Sequence, residues 1–267
     1  MKSLTLCLAL IATTVFSTVS NDALFNSRRR MLGTCMKTQC NGAISNDWRT
    51  WTQAFPVLAL PNANRGCANN IAYGAVPNPA GACSGKAALY AEINQARTNP
   101  TRLAKFIQQN LCNGQLAVDK NTASETINFL LWMAQNCKND VKSLPQMTCA
   151  NKAASQVGTD NVGQYRNVNC QQISHMAAGH SPDQRIGMFA KKDNTACEWN
   201  SGECILGWPK PISCLSMVAI WYLDHGVVNK GHRRVMIGAG ASGIGASVKT
   251  CGAGIFASAS LPVGYNC

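Results

Sequence analysis

The chain has four histidines, which are His175, His180, His225 and His232. Imidazole is a frequent metal ligand and can take up or release a proton near neutral pH. His180 lies in the segment GHSP (179–182) and His232 in the segment KGHRR (230–234), and both segments are typical of loops. Because loops on a rigid scaffold often carry functional residues, we select His180 and His232 as candidate site residues.

Carboxylates are scarce, since the chain has only 12 Asp and Glu among 267 residues. Glu203 lies in the segment SGEC (201–204), and Asp224 comes at the predicted end of a helix. Two imidazoles and two carboxylates can bind a divalent ion such as zinc or act as acid–base pairs. Their spacing is not the i, i+4 interval of one helix, so the fold has to bring them together. In the alternative interpretation the carboxylates accept hydrogen bonds that tie loops together.

Other kinds of site are not indicated. The sequence has no glycine-rich phosphate loop, no Cys-x-x-Cys pair and no Gly-x-Ser-x-Gly nucleophile motif. The formal charge of +12 comes from 24 Lys and Arg spread along the chain. We therefore do not expect nucleic acid as a partner, whereas anionic cell surfaces or glycans remain plausible partners.

The cysteines and the N-terminus predict a secreted, extracellular protein. The chain has 14 cysteines, a usage that is rare in reducing compartments. Lys2 precedes an apolar run over residues 4–16 with small residues after it, so residues 1–20 are predicted to be a removed signal peptide. This run is too short to span a bilayer. Because Cys7 is lost with the signal, an odd number of cysteines remains, and one thiol is free or pairs with another chain.

Composition divides the remaining chain into two parts. Residues 21–84 contain four cysteines and many Asn, Gly and Pro without an apolar period, so they are predicted to be a loop-rich N-terminal extension. Residues 85–267 carry regular apolar patterns and are predicted to be the folded domain.

Five helices and one hairpin are predicted within this domain. Two helices meet at Asn99-Pro100, with Asn99 as N-cap of the second. Thr122 and Glu125 form a capping-box pattern for a third helix. A fourth helix runs over residues 150–162, and a fifth ends at Gly226. Alternating residues on either side of 249–252 predict a β-hairpin. The fold class is therefore α+β, with helices flanking a small antiparallel sheet and disulfides holding the connections.

Four segments in this order resemble the CAP superfamily of cysteine-rich secretory, antigen 5 and pathogenesis-related proteins, also called the SCP domain. They are LYAEINQAR (89–97), GHS with QRI (179–186), GECI (202–205), and WYLDHGV with GHR (221–233). The resemblance covers residues 85–265 and implies a CAP-type α-β-α sandwich. It also implies a central cavity lined by His180, Glu203, Asp224 and His232, where zinc or another divalent cation is a possible ligand.

The sequence departs from the family pattern at two of these positions. Asp224 stands where many animal members have Glu, and its shorter side chain is expected to reach a metal or histidine less directly. Cys204 replaces the Asn of the Gly-Glu-Asn motif, and one guess is that it pairs with Cys197.

The resemblance implies a non-enzymatic binding protein with lipid or sterol ligands. One alternative is a metal-assisted hydrolase in which Glu203 and His180 would be the catalytic residues. Another is a secreted effector or structural protein that acts through its surface on extracellular or cell-surface partners.

Overall fold

The computed structural model describes residues 81–112, 120–137, 141–192, 202–227, 230–238, 241–262 and 265–267. The predicted signal peptide, residues 1–20, and most of the predicted extension, residues 21–84, lie outside the described residues.

The described residues form an α+β fold with seven α-helices and five strands. The helices are α1 (Lys86–Thr98), α2 (Pro100–Cys112), α3 (Lys120–Asn136), α4 (Thr148–Tyr165), α5 (Pro182–Gly187), α6 (Cys214–Leu223) and α7 (Gly231–Met236). The strands are β1 (Lys191–Lys192), β2 (Gly202–Trp208), β3 (Gly245–Cys251), β4 (Gly254–Leu261) and β5 (Tyr265–Asn266).

The main sheet has three antiparallel strands in the order β2-β4-β3. Strands β3 and β4 form the predicted hairpin, with Cys251 opposite Gly254, so this prediction is confirmed. Strand β2 pairs with β4 along its whole length, from Gly202 opposite Leu261 to Trp208 opposite Ile255. Strands β1 and β5 form a separate antiparallel pair.

Strand β4 is buried on both faces and forms the centre of the domain. Its Ile255, Ala257, Ala259 and Leu261 belong to the large core with α1, α2, α3 and α6. The alternate residue Phe256 packs instead with Val157 of α4, and the Ser258 hydroxyl donates to a carbonyl of α4 at 2.8 Å. Because successive strand residues point to opposite faces, helices cover both sides of the sheet.

The junction between α1 and α2 lies where the sequence predicts it. Helix α1 ends with Asn99 as its C-cap, and α2 begins at Pro100. The Arg102 N–H bonds weakly to the Asn99 side chain, at 3.3 Å. Asn94 of α1 both donates to the Leu144 carbonyl and accepts from its N–H, at 3.0 and 2.8 Å. The asparagine of the LYAEINQAR segment therefore attaches α1 to the loop before α4.

The capping box predicted for the third helix is wrong. Helix α3 begins at Lys120, so Thr122 lies inside the helix. Glu125 does not fold back to the helix start, because its carboxylate binds the buried Arg233 of α7 at 2.7 Å. A charge-assisted bond to a buried guanidinium is stronger than a bond to an exposed backbone N–H.

Helix α6 ends at Leu223, next to Asp224, which the sequence places at the end of a helix, and before the glycine stop signal at Gly226. Its C-cap is Asp224, which adopts the left-handed conformation with φ 48° and ψ 45°. Gly226 also has a positive φ, 76°, but lies two residues beyond the cap. Asp tolerates the left-handed region better than most residues, so the helix stops at the candidate site residue itself.

Three disulfides are present among the described residues, and they are Cys83–Cys214, Cys149–Cys267 and Cys170–Cys251. Cys137 is also disulfide-bonded. Structural disulfides on this scale are typical of proteins that fold in an oxidising compartment. None of the helices in the described residues is long and apolar enough to span a membrane.

Candidate functional site

Glu203 and His175 form the first histidine–carboxylate pair. Glu203 lies on β2, and its side chain is only 2% exposed. Its Oε1 atom is 2.9 Å from Nδ1 of His175, which lies in the loop before α5 and has a side chain 42% exposed. A buried carboxylate therefore contacts one nitrogen of a ring that faces solvent.

Arg185 of α5 contacts both residues of this pair. Its side chain is fully buried, and both terminal nitrogens donate to the backbone carbonyl of His175, at 2.9 and 2.7 Å. Nη1 also lies 3.5 Å from Oε2 of Glu203. The guanidinium thus fixes the His175 backbone and neutralises the carboxylate that contacts the His175 ring.

Helix α4 fixes the residue before His175. The Asn161 side chain is fully buried and bonds both backbone groups of Ser174, donating to its carbonyl at 3.1 Å and accepting from its N–H at 2.9 Å. His175 is therefore held on both sides, by α4 through Ser174 and by α5 through Arg185.

His232 and Asp224 form the second pair. The Asp224 side chain is 1% exposed, and its Oδ1 lies 2.7 Å from Nδ1 of His232. Its Oδ2 accepts from the His232 N–H at 2.9 Å. The expectation that the shorter Asp reaches its partner less directly is wrong here, because the loop between α6 and α7 returns His232 to the end of α6.

Two residues near the ends of the connection between α6 and α7 have unusual backbone conformations. Asp224 and Lys230 both have positive φ angles, 48° and 49°. The Lys230 ammonium donates to the Asp224 carbonyl at 3.0 Å, which closes the loop. Non-glycine residues in this region cost free energy and persist where the surroundings hold them. With these two conformations, the Asp224 carboxylate contacts both the ring and the backbone N–H of His232.

Arg233 anchors α7 and therefore His232. It is fully buried, and its Nε donates to the Tyr222 carbonyl at 2.7 Å. Nη2 donates to Glu125 and Thr126 of α3, at 2.7 and 2.8 Å. The second pair is thus braced against both α3 and α6.

The two pairs lie side by side. The ring centroids of His175 and His232 are 6.1 Å apart, and the ring planes are inclined by 27°. Each ring uses Nδ1 for its carboxylate, and Nε2 of neither ring has a hydrogen-bond partner in the described part of the chain. The arrangement presents two oriented imidazoles with their second nitrogens available.

His180 lies in a different contact from the one the sequence predicts for it. Its Nδ1 is 3.7 Å from Asp160 of α4, whose carboxylate also lies 3.6 Å from Nε of Arg185. The reason is local, because the next residue, Ser181, is the N-cap of α5 and forms a full capping box with Gln184. The structure therefore brings Glu203, Asp224 and His232 together with His175, and leaves His180 beside Asp160.

The sequence contains a signal that separates the two histidines. Ser181 and Gln184 have the capping-box spacing, with Pro182 at the first helical position. This pattern fixes His180 at the entrance of α5. It leaves His175 in the preceding loop, six residues before the N-cap, so the two histidines belong to different local structures.

Cys204 carries a free, buried thiol. The guess that it pairs with Cys197 is wrong, because its side chain points into the large core, with Sγ 3.5 Å from the His232 carbonyl. Burial raises the pKa of this thiol well above its usual value, and the nearby carboxylates of Asp224 and Glu203 raise it further. The thiol is therefore neutral and does not act as a nucleophile.

The donor set limits how a metal could bind. Within the described ranges, no group of three or more His, Cys, Asp and Glu side chains is arranged to hold an ion. Both carboxylates are engaged with Nδ1 atoms, so they orient the rings in the way that outer carboxylates orient metal-bound histidines. Among the described residues, the two Nε2 atoms are the ring nitrogens that the carboxylates leave without a contact, and the centroids of their rings are 6.1 Å apart.

Comparisons with protein-family models, with curated proteins and with solved structures found no match for this chain.

Proposed function

We propose that this protein is a secreted, CAP-type domain that binds a divalent transition-metal ion through Nε2 of His175 and His232. The observation that carries this proposal is the pair of imidazoles, whose ring centroids are 6.1 Å apart. A buried carboxylate contacts Nδ1 of each ring and orients it. Imidazole nitrogen suits zinc, copper and nickel. The role is that of a binding protein rather than an enzyme.

Family membership is part of the proposal and rests on the sequence resemblance. The helices on both faces of the antiparallel sheet are compatible with a CAP-type α-β-α sandwich. Extracellular localisation follows from the predicted signal peptide, and the disulfides are compatible with it.

Zinc titration calorimetry on metal-stripped protein tests the site. We expect wild-type protein to bind one zinc ion per chain and His175→Ala and His232→Ala to lose the binding heat. His180→Ala is the matched control. It removes an imidazole from the same polar segment as His175, but this imidazole does not contact Glu203. Loss of binding in His180→Ala with retention in His175→Ala would overturn the proposed ligands.

A second function, metal-assisted hydrolysis, is favoured by one observation. Two protein donors leave the remaining coordination positions open, and a bound divalent ion supplies Lewis-acid chemistry to water. Turnover of a panel of esters and peptides that requires zinc and disappears in His175→Ala would establish it. Absence of turnover in protein that binds zinc would leave the binding function alone.

Lipid or sterol binding rests on the resemblance alone. The cavity that the described residues form beside α2 has a volume of about 190 Å³. Pockets for drug-sized molecules occupy roughly 300–1,000 Å³, so this cavity is too small for a sterol and does not support that ligand.

A further inference from the structure

A cavity lies at the junction of α1 and α2, separate from the two histidine–carboxylate pairs. The cavity of about 190 Å³ is lined by residues 97–101, where α1 ends and α2 begins, and by Met133, Ala134 and Cys137 of the α3 end. It is partly open, and neither the proposed metal ligands nor their carboxylates contribute to its wall.

Arg97 supplies a buried positive charge to this wall. The residue is only 3% exposed. Its Nε donates to the Lys142 carbonyl at 2.9 Å and its Nη1 to the Met236 carbonyl at 2.6 Å. Both acceptors are neutral, and Nη2 has no acceptor in the described part of the chain. A buried charge without a counter-charge is costly.

The other buried arginines do not share this feature. Arg185 has Asp160 and Glu203 within 3.6 Å, and Arg233 has Glu125. Arg97 has no such carboxylate among the described residues, and burial lowers the pKa of its guanidinium. Since buried charges in proteins are generally paired, Arg97 lacks the partner that the two comparable side chains have.

The start of α2 adds donors at the same place. Pro100 has no N–H, and neither the N–H nor the hydroxyl of Thr101 has a hydrogen-bond partner among the described residues. Helix α2 has 13 residues, so its N-terminus carries a partial positive charge. Backbone donors at such an end bind anions.

We propose that this cavity binds a small oxyanion of the phosphate or sulfate class, with Arg97 as counter-charge and Thr101 as a hydrogen-bond donor. The volume agrees, because the cavity of about 190 Å³ is smaller than the roughly 300–1,000 Å³ of pockets that hold drug-sized molecules. A tetrahedral oxyanion is a ligand of suitable size. The basic chain, with a formal charge of +12, attracts anions to its surface.

Calorimetric titration with inorganic phosphate and with sodium sulfate, at constant ionic strength and after removal of metal by EDTA, tests this site. We expect saturable binding of one oxyanion per wild-type chain. Ala134→Leu leaves Arg97 unchanged and should weaken binding by at least about tenfold, because the larger side chain takes up space in the cavity that the anion would occupy. Ala87→Leu is the matched control, because Ala87 is exposed on α1 away from the cavity.

A second variant covers the case in which Ala134→Leu does not fold. Thr101→Val keeps the shape of the side chain, removes one donor and should weaken binding severalfold with an unchanged melting temperature. Zinc titration of both variants should match wild type, because the two sites share no residue. Undiminished phosphate binding in a folded Ala134→Leu variant, or no saturable binding by wild type, would overturn the proposal.

Discussion

At the scale of single residues, the two carboxylates contact the histidine rings and are themselves shielded from solvent. Glu203 and Asp224 are almost fully buried, whereas the rings they contact are 42% and 24% exposed. Each carboxylate engages Nδ1, which fixes the ring orientation and leaves Nε2 for a ligand. In the proposed site, His175 and His232 are therefore the ligands, and the two acids position them.

Glu203→Gln should weaken zinc binding without removing a ligand. The amide keeps the shape of the side chain but loses the charge that orients His175, and loss of such a partner typically costs about 10–100-fold in metal affinity. Calorimetry measures this directly. Glu92→Gln is the control, because it makes the same change in a partly exposed ion pair between Glu92 of α1 and Arg102 of α2. It should leave zinc affinity unchanged.

Tyr222→Phe should not destabilise the protein at neutral pH. The Tyr222 hydroxyl is buried without a hydrogen-bond partner among the described residues, so removing it removes a desolvation cost. Burial raises the pKa of Tyr222 above its usual value. The unfolded chain therefore releases this proton at lower pH than the folded one, and stability falls as the pH rises above about 10.

Urea unfolding at pH 7 and pH 10.5 measures both effects. A Cys204→Ala background prevents thiol exchange at the alkaline pH and serves as the reference. Tyr222→Phe should be at least as stable as this reference at pH 7 and should lose less free energy of unfolding at pH 10.5. A loss of more than about 1 kcal/mol at pH 7 would indicate a hydrogen bond to the hydroxyl.

At the scale of secondary structure, the long periodic elements were predictable. The predicted fourth helix is α4, whose Ala150, Ala153, Ala154 and Val157 are buried at helical spacing. The α1–α2 break and the β3–β4 hairpin also lie where the sequence predicts them. These elements have apolar patterns that local physics determines. Their boundaries shifted where tertiary contacts outweighed local signals, as at Glu125 and Asp224.

The elements that the sequence did not predict depend on distant partners. No strand is predicted from the sequence over residues 202–208, where the structure has β2, and the burial of these residues does not alternate along the strand. Helix α7 has no capping side chain at Lys230. Its first N–H groups instead bond to Asp224 from the end of α6. The contact of Glu203 with His175, and not with the predicted His180, has the same origin, since only the fold brings β2 to one of the two histidines.

Gly207 of β2 should not tolerate a side chain. A Cβ atom at this position would lie 1.7 Å from the Cys170 carbonyl oxygen and 2.9 Å from its carbonyl carbon, so backbone would have to move. We expect Gly207→Ala to cost several kcal/mol or prevent folding. Gly163→Ala on the exposed side of α4 meets nothing within 4 Å and should stabilise the protein by about 0.5–1 kcal/mol.

Thermal unfolding of the two glycine variants compares them directly. The same atom is added in both cases, so the difference reports the space at each position. A melting temperature of Gly207→Ala close to wild type would contradict the close approach of β2 to the loop that leads to His175.

At the scale of the whole molecule, disulfides join parts of the chain that are far apart in sequence. Cys83–Cys214 closes a separation of 131 residues, and Cys149–Cys267 and Cys170–Cys251 close 118 and 81. Cys83 also donates its N–H to the Ile212 carbonyl at 2.8 Å. The end of the predicted extension is thus fastened to the start of α6, the helix that carries Asp224 at its other end.

Removing the Cys83–Cys214 disulfide should lower the free energy of unfolding and leave the zinc affinity of the folded protein unchanged. Replacing both cysteines by Ser releases a long loop in the unfolded chain, and we expect a loss of about 2–5 kcal/mol, a large part of the 5–15 kcal/mol typical of a domain. The histidine–carboxylate pairs are held by Arg185, Arg233 and Asp224. Zinc affinity in the folded variant should therefore match wild type.

Urea unfolding and zinc calorimetry separate these two outcomes. Cys204→Ala is the control, because it removes a buried sulfur and no crosslink, so it should cost less than the double variant. Equal losses in both would mean that Cys83–Cys214 contributes only packing. Loss of zinc binding by a folded double variant would mean that the disulfide positions α6, and that the site depends on the whole molecule and not on its local hydrogen bonds.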